Sequence, residues 1–412
     1  MSSADDTAVP TGPALRRRAS WKLKLAAVCT GCVIAALVGE GALRLCGFPR
    51  VGRYSPDLNL GARLVQNYGG WQRAEGEVYV RTNSAGWRDR EHTLQAAPNT
   101  FRIAVLGDSF SEAAQVEIHE AYWAVLEREL AGREALQGRQ IEVLNFGVSG
   151  YGTTQEFLCL EHEVWQYKPD LILLQFLPGN DVCNNSHTLE PDRGRPFHVF
   201  SGDELMLDNT FREQITRVLR PGAIARNWDE KVILWKHFLI SHSAIMSLIY
   251  EMRHRNEDQA GNLEPGIESL VFFEPGEPEW IEAWAITDAV LREMQESCRE
   301  HQVPLVVFTA NNSLQVHPDD AFIRQIAREN DATDVLYPDE HLQTLAEATG
   351  FRFISLTLPM REIAQRDGTW FHGFPNTAPG AGHWNVTGHA TAGKLLTKEL
   401  CRLLDNKASG AD

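Results

Sequence analysis

Nothing in this sequence offers a nucleotide or a metal one of its usual grips. No P-loop, no dinucleotide-binding glycine fingerprint and no His-Glu-x-x-His pair occurs in the 412 residues, so chemistries built on those motifs lose their sequence support. Positive charge is scarce: 39 Lys and Arg stand against 55 Asp and Glu, a net charge of -16. That balance excludes the basic face a nucleic-acid partner needs. The seven cysteines are spaced neither as a disulfide framework nor as a zinc set. Cys29, Cys32 and Cys46 lie in or beside an apolar run; Cys159, Cys183, Cys298 and Cys401 are expected as buried thiols or as one or two disulfides. Neither a repeat of fixed period nor a long low-complexity tract is present. What remains is a length sufficient for one large catalytic domain with additions.

Long apolar runs are also scarce, and the single one is informative. Residues 1–24 are polar and turn basic at Arg16, Arg17, Arg18, Lys22 and Lys24, reading as a cytoplasmic tail. Residues 25–45 are almost entirely apolar or small, close to the roughly 20 residues that span a bilayer. The preceding basic cluster places the N-terminus in the cytoplasm and the bulk of the chain on the exoplasmic side. A cleaved signal peptide is the rival reading; without a small-x-small cleavage site, a retained signal anchor is the expectation. Glu40 interrupts the run near its far end and is expected to snorkel or to pair with Arg44.

Residues 46–100 read as a connecting region with a strand at Val78–Thr82 and a turn at 83–86, in a structural role. An α/β rhythm then begins. Strands are expected at 101–106, 141–146, 171–176, 304–308 and 351–354, alternating with helices near 120–131, 153–167, 281–300 and 339–349 and a last helix opened by 380–389 and running to about Leu404. This pattern predicts a parallel sheet covered by helices. Residues 184–284 interrupt it as a helical insertion, a candidate lid or substrate-binding unit carrying Trp228, Trp235, Trp280 and Trp284. Tryptophans at helical spacing are expected chiefly as core residues; exposed in a groove, they would stack on sugar rings.

The chemistry concentrates where strands end. Strand 101–106 runs into Gly107-Asp108-Ser109, the second into Gly147-Val148-Ser149-Gly150, and the third into Pro178-Gly179-Asn180-Asp181. A last segment reads Gly380-Ala381-Gly382-His383-Trp384-Asn385. These supply the parts of acyl transfer. A serine hydroxyl becomes a nucleophile when a base such as His383 takes its proton. The backbone N–H groups of Ser109 and Gly150 and the side-chain amide of Asn180 could receive the oxyanion. Asp108 and Asp181 are expected to hold their loops by hydrogen bonds.

Those four blocks, in that order, resemble the SGNH hydrolases (GDSL-type esterases). The resemblance covers about 101–183 and 285–405. It implies a three-layer α/β/α sandwich of flavodoxin-like type over 101–405, with no metal and no cofactor. It puts the nucleophile on Ser109, the base on His383, and the oxyanion hole on Ser109, Gly150 (Gly147 as second choice) and Asn180. One position departs from the family pattern. An aspartate usually stands three residues before the histidine, and here Gly380 holds that place. A backbone carbonyl is expected to hold His383 in a Ser-His dyad, or else an acid comes from elsewhere, Asp367 being the nearest candidate upstream. His389 is expected to pack, and His372 is a candidate substrate contact. The implied function is esterase cleavage of an ester-linked acyl group, with an acetylated glycan among the expected substrates. The alternatives are an O-acyltransferase acting on a cell-surface polysaccharide and a catalytically weak binding or assembly protein.

Overall fold

The computed structural model describes residues 20–45, 53–219, 243–254 and 269–409. The apolar run forms a helix, α1 (Trp21–Leu45), long and apolar enough to cross a membrane. Two antiparallel hairpins come next: β1 (Tyr54–Asp57) with β2 (Gly61–Leu64), and β3 (Gly69–Gln72) with β4 (Val78–Arg81). They lead to β5 (Thr100–Leu106), α2 (Ser109–Glu112), α3 (Tyr122–Leu130), β6 (Gln140–Asn145), α4 (Thr153–Cys159), β7 (Leu171–Phe176) and α5 (Pro178–Cys183). The described part of the insertion holds a hairpin, β8 (Phe197–Ser201) with β9 (Glu204–Asp208), then α6 (Phe211–Leu219) and α7 (Ala244–His254). The chain closes with α8 (Pro278–Glu300), β10 (Leu305–Thr309), α9 (Asp320–Glu329), α10 (Tyr337–Thr349), β11 (Arg352–Ile354), α11 (Thr357–Asp367) and α12 (Val386–Ser409).

Five strands form one parallel sheet in the order β11-β10-β7-β5-β6. Both faces are covered, which is why β5, β7 and β10 read as continuous apolar runs rather than alternating ones. Side chains alternate between two cores. Leu106, Leu174, Phe176 and Val307 meet α4, α8 and α10 on one face. Ile103, Val105, Leu173 and Phe308 meet α3, α11 and α12 on the other. Each fully buried Leu, Ile or Val stabilises the fold by about 1.5–3 kcal/mol, so this double burial fixes the register of the strands. The chain order reverses between β5 and β7, and open α/β sheets place their sites at such a switch point, outside the carboxyl ends of the strands.

The expected α/β/α sandwich is present, with differences of detail. The helix that starts at Thr153 widens to a π turn over Leu160–Val164 and tightens over Trp165–Tyr167. Helices α9 and α11 had no expectation; α9 is signalled by Asp319, whose carboxylate caps it by accepting from the Ala321 N–H at 2.9 Å. Trp280 and Trp284 are 4% and 3% exposed and belong to the core, so neither lines a groove. Trp228 and Trp235 lie outside the described residues. Among the described residues Cys159 and Cys298 are free and buried, Cys183 is buried, and Cys401 is free and half-buried.

Candidate active site

Ser109 is the first residue of α2, at the carboxyl end of β5, and is only 7% exposed. Asp108 caps that helix, its carboxylate accepting from the Phe110 N–H at 3.0 Å. Gly107 is required by crowding: a Cβ there would strike the Ser111 hydroxyl and the Gln175 side chain. Gln175, on the neighbouring β7, takes hydrogen bonds from the Asp108 N–H (3.1 Å) and from Ser111 Oγ (2.9 Å). The turn that carries Ser109 is thereby fastened to the central strand beside it.

His383 Nε2 lies 2.8 Å from Ser109 Oγ. On its other side Nδ1 lies 2.8 Å from Glu75 Oε2, and the same oxygen accepts the His383 backbone N–H at 3.0 Å. Glu75 comes from the tip of the β3–β4 hairpin, 308 residues before the histidine. Asn376 clamps that tip, accepting the Gly76 N–H at 2.9 Å and donating to the Arg73 carbonyl at 3.0 Å. Burial pushes the Glu75 carboxyl up, but its hydrogen bonds and charge attraction to His383 outweigh this and hold it below the ordinary carboxylate value.

Asp367 therefore does not occupy the orienting position expected for it. It ends α11 and pairs with the adjacent Arg366 at 2.7 Å on the surface. The glycines of the histidine loop explain the exchange. Gly382 has φ +72°, and a Cβ there would lie 2.6 Å from the Glu75 carboxylate. Gly380, where the family pattern has its aspartate, has φ +80°, and Trp370 fills the space a side chain would need, 2.5 Å from a Cβ. The loop thus leaves no room for the expected acid and makes room for Glu75. Asn385 closes the loop, donating to the Trp370 carbonyl at 2.9 Å and capping α12 through the N–H groups of Thr387 and Gly388.

The other side of the serine is built by β6 and β7. Asn180 sits in the first turn of α5, not in a loop, and donates through Nδ2 to Asp108 Oδ2 at 2.7 Å. Asp181 fastens the same turn, accepting from the Leu177 N–H at 2.6 Å and from Thr153 Oγ1 at 3.0 Å. Both aspartates therefore hold backbone turns as expected. Gly150 has φ +79°, and its carbonyl accepts from Arg195 Nη2 and, at 3.2 Å, from Asn184 Nδ2. Gly147 instead packs on the backbone of α2, where a Cβ would lie 2.6 Å from the Glu112 nitrogen. Glu112, itself buried and bonded to Arg53 and Tyr54, accepts the Ser149 N–H at 2.8 Å and so steadies the loop before Gly150.

Two histidines near the site are structural. His372 is 1% exposed and lies 3.1 Å from the Asn311 carbonyl, so it is not a substrate contact. His389 stacks on Tyr122 and accepts its backbone N–H at 3.3 Å. Burial pushes each down to about 3. Beneath the serine, Glu156 and Asp181 are both pushed well above the ordinary carboxylate range, by burial first and then by neighbouring negative charge. Among the described residues no cluster of three or more His, Cys, Asp or Glu could hold a metal ion.

No family model and no curated protein matches the chain. Several solved structures are similar at low identity. An acetyl xylan esterase is 10% identical, with 73% of this chain and 99% of that one covered and a TM-score of 0.37. For an acetylxylan esterase from Geobacillus stearothermophilus the values are 11%, 73%, 94% and 0.36. For the lipase/acylhydrolase from Enterococcus faecalis they are 14%, 73%, 95% and 0.34. By its own strand order, and by the convergence of its serine, glycine, asparagine and histidine blocks at one sheet edge, the chain has the fold expected of an SGNH hydrolase.

Proposed function

We propose that the chain is a membrane-anchored serine esterase that works through an acyl-enzyme on Ser109. The observation that carries this reading is the relay Glu75–His383–Ser109, with 2.8 Å at both links. His383 Nε2 takes the proton as Ser109 Oγ attacks the ester carbonyl, and the Glu75 carboxylate stabilises the imidazolium that forms. The oxyanion is received by the Ser109 and Gly150 N–H groups and by Asn180 Nδ2. Ser109 suits this because the first N–H groups of a helix have no intrahelical acceptor. His383 then protonates the departing alcohol and deprotonates the water that releases the acid. The catalytic unit takes in the β3–β4 hairpin as well as 101–405, because Glu75 lies on that hairpin. Helix α1 holds this unit on the exoplasmic side.

An acylated carbohydrate is the proposed substrate class. Trp370 keeps 36% of its surface exposed while covering Gly380 in the histidine loop, and an indole face so placed can stack on a sugar ring.

The test compares full-length wild type with Ser109→Ala on a short activated acyl ester, with mass spectrometry following an acyl adduct on Ser109. Turnover and adduct are expected in wild type and absent from the variant; equal turnover in both would remove Ser109 from the mechanism. Trp370→Ala is expected to raise KM for an acetylated oligosaccharide well beyond any effect on the activated ester, which reads the loop packing alone; equal effects on both would sink the carbohydrate reading. A periplasm-dependent reporter fused after Leu45 should be active, and activity restricted to a cytoplasmic reporter would reverse the orientation.

A further inference from the structure

Glu40, the one acid in the apolar run, is not idle. Its carboxylate accepts from Ser243 Oγ at 2.9 Å and from the N–H groups of Ala244 and Ile245 at 2.8 and 3.2 Å. These last two begin α7, so a residue of the anchor helix caps a helix of the insertion some 200 positions later. Arg44 completes the arrangement from the next turn of α1, 2.8 Å from Glu40. Along α1 only Gly39, Glu40 and Leu43 are partly covered, and these three share one helix face. Gly39 allows the approach: a Cβ there would already touch Ile245 Cδ1 at 3.5 Å.

We propose that Glu40 seats the insertion on the membrane: it fixes the start of α7 near the C-terminal end of α1, and the apolar face of α7 beyond that contact lies on the adjoining lipid leaflet. This rests on the reading of α1 as a membrane span. Glu40 is five residues from the end of α1, about 7–8 Å along its axis, which is close to the hydrocarbon boundary of a bilayer core about 30 Å thick. A carboxylate at that depth is costly unless paired, and the first turn of α7 supplies the pairing. Ile245, Ile249 and Met252 recur at i, i+4 and i+7, one stripe of the helix. Ile245 is half-buried beside the anchor, Ile249 is 39% exposed and Met252 is 68% exposed. An apolar stripe that loses its protein cover as it leaves a membrane helix at the bilayer boundary has lipid as its neighbour. The insertion, which leaves the sheet directly after the helix bearing Asn180, is thereby tied to the membrane plane.

The experiment uses the full-length protein, with Cys29, Cys32, Cys46 and Cys401 replaced by alanine, in phosphatidylcholine–phosphatidylglycerol vesicles carrying brominated acyl chains. An environment-sensitive fluorophore is placed singly at residue 33, 252 or 324. Residue 33 lies within the span, and Arg324 is exposed on α9. Quenching of about two-fold or more is expected at 33 and 252, with none at 324. Glu40→Ala and, separately, Ser243→Ala should bring the 252 signal toward the 324 level and leave that at 33 unchanged. Strong quenching at 33 with none at 252 overturns the proposal and leaves the span intact. No quenching at 33 removes the span itself, and the proposal with it. Concentration-dependent crosslinking between copies through residue 252, without quenching there, replaces lipid by a second copy and also overturns it.

Discussion

The sharpest test of the site is Glu75→Gln. The substitution keeps the shape of the side chain but removes the charge that faces Nδ1 of His383 at 2.8 Å. In the ground state this loses a charge-assisted hydrogen bond, worth about 1.5–3 kcal/mol. In the transition state the histidine carries a full positive charge, so the loss is larger there than in the ground state, and only that difference slows the reaction. A fall in kcat of about 10²- to 10⁴-fold is expected, equivalent to about 3–5 kcal/mol. KM should stay within about three-fold, because Glu75 stands behind the histidine. Asp367→Asn is the matched control; its carboxylate is held by Arg366 and should leave kcat within about two-fold of wild type. Steady-state kinetics on an activated ester, with thermal melts to verify folding, decide the matter. A folded Glu75→Gln enzyme that keeps more than about a third of wild-type kcat would refute the relay. So would an Asp367→Asn enzyme that falls as far as Glu75→Gln.

The same geometry makes three further outcomes testable. Gly382→Ala should lower kcat at least about ten-fold while altering no titrating group, since its Cβ would meet the Glu75 carboxylate at 2.6 Å with φ at +72°; unchanged kinetics would show that the acid is not held where it is placed. Glu156→Gln should stabilise the fold at pH 8 more than at pH 5 in denaturant titrations. The folded-state pKa of Glu156 is raised, so its contribution is full below the unfolded value near 4.5 and is lost as pH rises; a stability gain that is flat with pH would exclude a raised carboxyl. His389→Gln should flatten the loss of stability on acidification. The folded-state value near 3 is depressed, so the stability contribution of His389 is present above pH 6.5 and lost as pH falls; wild type should lose about 2 kcal/mol more than the variant between pH 7 and 5. Equal slopes would mean the imidazole is not held neutral.

The strand ends were legible because burial on both faces writes itself into the sequence as short apolar runs, and the residues just past each run are presented at one edge of the sheet. Ser109, Asn180 and His383 are brought together as that logic requires. Glu75 was not legible, for a physical reason. Its hairpin has four residues in each strand, and its tip is fixed by Asn376, some 300 positions downstream, so no local pattern announces the meeting. The available signal was indirect: two glycines flanking Ala381 where an acid was expected imply a backbone making room for something. The insertion's two described tryptophans lie in the core, the placing chiefly expected of them. Trp280 and Trp284 carry helical spacing, which cannot separate a core face from a binding face until the sheet they pack on is known.

Where a carboxylate orients a histidine, its angle matters and its position in the chain is chemically irrelevant. The requirement is a supporting shell that allows one arrangement only. Here the loop before His383 could not take an aspartate at residue 380, because φ is +80° and the Trp370 ring fills the space. The loop instead turns its backbone N–H and its ring toward one oxygen of Glu75. The hairpin tip answers with its own constraint: Gly76, at φ +68°, lies against the Gln115 carbonyl just beyond α2, 2.5 Å from where a Cβ would sit. The acid is thus indexed to the nucleophile's own neighbourhood through backbone contacts, not through a flexible arm. In the proposed mechanism residues upstream of the sheet therefore belong to the catalytic machinery, and the β3–β4 hairpin serves it by fixing the distance between Glu75 and the serine turn.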